Sequence, residues 1–152
     1  MITTEQIKEL RDKTSVSIAQ CKKALEDAGG DMAKALEALK AKGAEIADKK
    51  SDRELGAGVV SSYIHTTGSM GVMVEVQCET DFVSKNPEFR GMADDFAMHI
   101  AAMVPADTAE LLGQPFIKDP EMTVSDVVKN NIQKFGERIE ITRFVRFDVS
   151  EA

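Results

Sequence analysis

The apolar residues of this chain keep a helical spacing up to about residue 43 and an alternating one from Gly58 onward. That single change of period sets the fold class: intervals of three and four line up side chains on one helix face, and intervals of two line them up on one strand face. Ile7 and Leu10, then Cys21, Ala24, Leu25 and Ala28, then Met32, Ala35, Leu36 and Leu39 follow the first spacing. Val72, Val74, Val76 and Cys78 follow the second, against Met73, Glu75 and Gln77. The expected architecture is α+β, with a three-helix module over 1–50 and a small antiparallel sheet packed with helices over 51–152.

Local signals punctuate the first module. Thr3-x-x-Gln6 and Ser17-x-x-Gln20 read as capping boxes, Gly29-Gly30 as a left-handed stop, and Asp31 as the cap of a third helix. Gly43 is expected to end that helix, which puts Lys40 and Lys42 in its last turn, where the macrodipole favours cations. The polar run 47–54 then reads as a frayed end and linker. A core this small is marginal on its own.

Downstream, Val59, Val60, Tyr63 and Ile64 suit a strand, Thr67-Gly68-Ser69-Met70-Gly71 a hairpin turn, and 72–78 a second strand. Asn86-Pro87-Glu88 opens a helix with a capping asparagine, a proline at its first position and an acid in its first turn. Phe89, Met92, Ala93, Phe96, Ala97, Ile100 and Met103 form its apolar stripe, and Pro105 ends it. Residues 106–120 read as irregular. Thr123 is expected to cap another helix, with Val124, Val127, Val128, Ile132 and Phe135 inward and Gly136 at its end. The last segment alternates again as a third strand. Ile139, Ile141, Val145, Phe147 and Val149 share one side, and Thr142, Phe144 and Arg146 the other.

Composition excludes several classes. At 43% hydrophobic the chain can bury a core, yet it holds no run of about 18 apolar residues to span a membrane. Its opening residues carry no basic and apolar leader, so a cytoplasmic protein is expected. Two cysteines make no disulfide framework. Lys and Arg number 19 against 26 Asp and Glu, for a net charge of −7. Residues 1–55 hold 11 basic and 11 acidic groups, so the whole excess lies in 56–152. Neither part offers the basic field that a phosphate backbone requires, which argues against nucleic acid and for a protein partner.

No catalytic centre emerges. Cys21, Cys78, His65 and His99 lack metal-ligand spacing, and no glycine-rich phosphate loop is present. Cys78 is a poor nucleophile, because Glu79 and Asp81 oppose thiolate formation. No metal, no cofactor and no enzymatic activity are expected. The most unusual stretch is Cys78-Glu79-Thr80-Asp81-Phe82-Val83, which admits two readings. Phe82 plugs the joint between strand and helix, with Asp81 satisfying nearby amides. Alternatively, Phe82 protrudes beside an acid as an aromatic anchor for a partner.

At these residues the chain resembles the elongation factor Ts family. The likeness is carried by Leu10-Arg11-x-x-Thr14, Cys21-Lys22-Lys23-Ala24-Leu25 and Gly30-Asp31 in the first module, and by Tyr63-Ile64-His65, Thr80-Asp81-Phe82-Val83 and Asn86-x-x-Phe89 in the second. Gln114-Pro115-Phe116, Gly136-Glu137-x-Ile139 and Arg143-Phe144-Val145-Arg146-Phe147 extend it to the end. The resemblance implies a ubiquitin-associated-like module on an α+β core, acting as a nucleotide exchange factor on the GTPase domain of elongation factor Tu. It assigns Asp81 and Phe82, flanked by Thr80 and Val83, to the magnesium and phosphate site of that partner. It assigns secondary contacts to Arg11, Ile18 and Lys22 and to Phe135 and Gly136. The alternative is a non-catalytic adaptor that uses the three-helix module.

Two departures stand out. Thr14-Ser15-Val16-Ser17-Ile18 occupies a loop where the family usually has two glycines, so a stiffer loop is expected. A long helical segment expected after Pro105 is nearly absent, with only 106–110 leading to Leu111. Short family members resemble half of a symmetric assembly, which implies a possible homodimer, with Phe144 as a candidate interface residue.

Overall fold

The computed structural model describes residues 1–151, and its fold is α+β. It forms two compact units, one of residues 1–52 with 126–137 and the other of residues 53–125 with 138–152. None of its described helices is long and apolar enough to cross a membrane.

The first unit holds α1 (Thr4–Thr14), α2 (Ile18–Asp27), α3 (Met32–Lys50) and most of α7 (Val124–Phe135). Its caps follow the sequence. Thr3 and Gln6 form a reciprocal capping box, Ser17 Oγ accepts the Gln20 amide at 3.3 Å, and Asp31 Oδ1 accepts that of Lys34 at 3.1 Å. Leu10, Val16, Cys21, Leu25, Ala35 and Leu39 make the core.

Helix α3 does not stop at Gly43; it continues to Lys50, so the last-turn cations are Lys49 and Lys50. Gly43 is a notch rather than a terminator. A Cβ there would lie 2.6 Å from Gln133 Nε2 and 3.5 Å from Lys129 Cβ, both on α7. Gln133 Nε2 donates to Leu39 O at 3.0 Å, and Lys40 pairs with Asp126 at 3.7 Å. The loop between α1 and α2 works without glycines. Ser15 takes the left-handed conformation at φ 59°, Val16 is fully buried, and Ser17 caps α2.

The second unit is a three-stranded antiparallel sheet of β1 (Ala57–Ile64), β2 (Met70–Cys78) and β5 (Glu140–Asp148), in the order β1-β2-β5. Two helices follow β2: the single turn α4 (Asp81–Ser84) and α5 (Pro87–Met103), capped by Asn86 and carrying proline in its first turn. Helix α5 lies against β1 and β2, burying Phe89, Phe96 and Ile100 against Val72, Val74 and Val76. The segment expected to be irregular is ordered. Asp107 caps α6 (Thr108–Gly113), and β3 (Pro115–Phe116) pairs with β4 (Asp119–Thr123). Thr123 thus closes a strand, and the Val124 amide bonds to Gln114 O at 3.0 Å. His99 ties this hairpin to α5. Its Nδ1 accepts the Ile117 amide at 3.1 Å, its Nε2 bonds Gln114 Oε1 at 3.0 Å, and its ring stacks on Phe116. That bonding fixes a neutral imidazole with its proton on Nε2.

The alternation expected along β5 fails at Thr142. Glu75 faces Arg143 and Val76 faces Ile141, leaving Thr142 as the extra residue of a β-bulge. Its hydroxyl donates to Glu75 Oε1 at 2.7 Å, and Arg143 pairs with Glu75 Oε2 at 3.1 Å. These two contacts, the hydroxyl first, hold the Glu75 carboxyl below its usual pKa. Beyond the bulge the sides exchange. Ile139 and Ile141 are buried, but Phe144 and Arg146 turn toward the α5 side, opposite Val74 and Val72. Val145, Phe147 and Val149 are exposed. Phe144 therefore does not face outward, and Val145 and Phe147 take that position.

Candidate partner-binding site

Strand β2 ends at Cys78, and Thr80, with extended backbone angles, redirects the chain into α4. The turn is closed by main-chain bonds from Ser84 N to Thr80 O (3.2 Å), Lys85 N to Asp81 O (3.0 Å) and Asn86 N to Val83 O (3.0 Å). Side chains pin it from beneath. The Cys78 thiol donates to Thr80 O at 3.3 Å, Ser84 Oγ to Asp81 O at 3.2 Å, and Arg90 Nε to Ser84 O at 3.3 Å.

Successive residues of a helix point about 100° apart, so one turn cannot bury all its side chains. Val83 and Ser84 go inward, each 4% exposed, while Asp81 and Phe82 go outward. Phe82 is 88% exposed, so it does not plug the joint between strand and helix. Thr80 is exposed, and Val83 anchors the turn from inside. The result is a large rigid ring and a carboxylate held outward on a short, well-bonded base.

In the first unit Arg11, Ile18 and Lys22 are all exposed; Ile18 is 58% exposed, and Lys22 lies 3.9 Å from Glu26. Phe135 is half-buried, with the Lys134 ammonium 5.5 Å from its ring centroid. Gly136 is exposed at φ 71°, and its carbonyl accepts from Lys50 Nζ at 2.9 Å. Burial, and secondly the charge of Arg11, lower the pKa of Lys134. Arg11 thus acts electrostatically on the residue beside Phe135, although the two are far apart in sequence.

The cysteines are structural. Both are buried, and burial pushes the Cys21 thiol pKa up. Among the described residues, no group of three or more His, Cys, Asp or Glu side chains is placed to hold a metal ion. The supporting roles of Cys78, Ser84 and Arg90 have no signature in residue spacing. They follow from where β2 ends and α5 begins.

The fold is α+β, and its most exposed aromatic ring is held outward on a short, well-bonded turn. The family model described as "Elongation factor TS" matches residues 2–106 and 79–152. The elongation factor Ts of Carboxydothermus hydrogenoformans is 41% identical, over 99% of this chain and 90% of its own length. That of Desulforamulus reducens is 40% identical with the same coverage, and that of Thermosipho melanesiensis is 37% identical over 99% and 100%. The chain belongs to the elongation factor Ts family, and is a translation elongation factor of protein biosynthesis. The first of these alignments spans 196 positions against 152 residues here, so that relative carries residues this chain lacks.

Proposed function

We propose that this chain promotes GDP release from elongation factor Tu by binding its GTPase domain and disturbing the magnesium and phosphate site, without making or breaking covalent bonds. The observation that carries the reading is the 88% exposure of Phe82 on a turn bonded from within. A burial-driven fold gains by hiding such a ring, by about 1.5–3 kcal/mol, so a ring left outside on a rigid base fits a role toward a partner.

An exchange factor acts by linkage. Binding the nucleotide-free GTPase more tightly than the GDP form weakens GDP by the same factor, and about 4 kcal/mol of coupling corresponds to roughly a thousandfold. Phe82 supplies the wedge and Asp81 a negative charge near the metal. Magnesium keeps a near-ideal octahedral shell, so a small displacement costs it affinity. Thr80 and Val83 shape the base. Arg11, Ile18 and Lys22, with Phe135 and Gly136, add affinity away from the nucleotide. In this reading residues 1–50 serve as the ubiquitin-associated-like module and 51–152 as the core. The protein works in the cytoplasm, with neither nucleic acid nor membrane as a direct ligand. The outer sheet face, with Val60, Met73 and Phe147 exposed, supports a second copy as a further partner.

Release of fluorescent GDP from purified elongation factor Tu tests the proposal. The intact chain is expected to accelerate it, and Phe82→Ala to remove most of that acceleration at equal occupancy. Equal rates would overturn the wedge. If Ile18→Glu abolishes binding while Phe82→Ala changes neither binding nor release, the adaptor reading replaces it.

A further inference from the structure

We propose that Glu79 is a positioning residue for the Phe82 turn, an inference that rests on the exchange reading above. The second unit is entered by the chain twice, at Arg53 and at Arg138. Glu79 meets both. Its Oε1 lies 3.5 Å from the Arg53 guanidinium, and its Oε2 accepts the main-chain N–H of Arg138 at 2.5 Å. The Arg138 guanidinium completes the set, donating to Arg53 O at 2.6 Å and to Glu140 Oε2 at 2.7 Å. The Glu79 side chain is 19% exposed, largely withdrawn from water into this arrangement.

The peptide bond after Glu79 leads to Thr80, whose carbonyl receives both the Cys78 thiol and the Ser84 amide. That carbonyl is the pivot of α4. A partly exposed ion pair contributes little stability, about 0–1 kcal/mol. A carboxylate bonded to a main-chain N–H fixes the position of a backbone segment, because the bond is short and directional. Glu79 thus ties the pivot of the wedge to the two segments, remote in sequence, that lead into β1 and β5. One of them, Arg138, follows two residues after the proposed contact at Gly136. Interacting groups must be held to within about 0.5 Å, so slack at Glu79 lowers the productive placement of Phe82 more than it lowers binding.

The test measures GDP release from elongation factor Tu against concentration of the full chain, for wild type, Glu79→Gln, Arg53→Ala, Phe82→Ala and the Glu79→Gln/Phe82→Ala double variant. Glu79→Gln keeps the side-chain shape but replaces one acceptor oxygen with an NH2 donor, so it cannot accept from both the Arg53 guanidinium and the Arg138 N–H. It is expected to lower the saturating release rate by about three- to tenfold, with the half-saturating concentration changed by less than about twofold. Arg53→Ala is expected to give a smaller drop of the same kind, and the double variant to be no slower than Phe82→Ala. A wild-type saturating rate for Glu79→Gln, beside a slow Phe82→Ala, would overturn the positioning role and leave the exchange reading intact. The positioning role is equally overturned if Glu79→Gln slows release as much in the Phe82→Ala background as in wild type. Failure of Phe82→Ala to slow release overturns the exchange reading itself.

Discussion

On the inner face of the three-stranded sheet Val72, Val74 and Val76 are at most 1% exposed, whereas Val60, Met73 and Phe147 on the outer face are 62%, 52% and 72% exposed. The residue types on the two faces are similar, and only the inner one is covered by α5. The apolar character of a strand position therefore does not report whether the fold uses it. The inner face holds the unit together. The outer face, like Phe82, is left available, and its apolar surface suits association.

Four substitutions or conditions separate the two faces. Phe96→Ala removes a fully buried ring of α5 and is expected to cost about 3–5 kcal/mol, read by chemical denaturation. Acidification acts on the same side through His99. Burial holds its pKa below the ordinary histidine value, partly offset by the Gln114 bond. The unfolded chain takes up a proton below about pH 6.5 that the folded chain refuses. The contribution of His99 is thus complete above that pH and declines as pH falls toward the lowered value. A denaturation midpoint that stays flat from neutral pH into that range in wild type, or falls equally in His99→Gln, would contradict this. Thr142→Ala removes the hydroxyl bonded to Glu75 and is expected to cost about 1 kcal/mol by the same measurement. Phe147→Ser, on the outer face, is expected to change stability by no more than about 0.5 kcal/mol. It should also shift sedimentation toward a single copy. A large stability loss would mean that the outer face belongs to the fold.

What could be read from the sequence was what depends on near neighbours. Thr3, Ser17, Asp31 and Asn86 cap helices because the donors they satisfy lie two or three residues away. Asp107-Thr108-Ala109-Glu110 carried the same kind of signal for α6, and the surrounding irregularity hid it. The remainder depends on residues distant in the chain. Gly43 looks like a helix stop until Gln133 and Lys129 of α7 are set against it. The string from Cys78 to Val83 drew attention as a candidate site, but the outward direction of Phe82 follows from burial of Val83 and Ser84, which no local pattern encodes.

The bulge at Thr142 has a consequence for anyone engineering this protein. Counting every second residue along β5 assigns Phe144 and Phe147 to the wrong sides, and so would a variant designed by that count. Deleting one codon at 142 would restore strict alternation and leave the distal half of the strand on its present sides, because Arg143 would still face Glu75 and Phe144 would still face Val74. Phe147 would stay on the outer face and the Arg146 guanidinium would keep its bonds to Ala101 O and Glu151, so the loss would fall on Glu75, which the Thr142 hydroxyl holds.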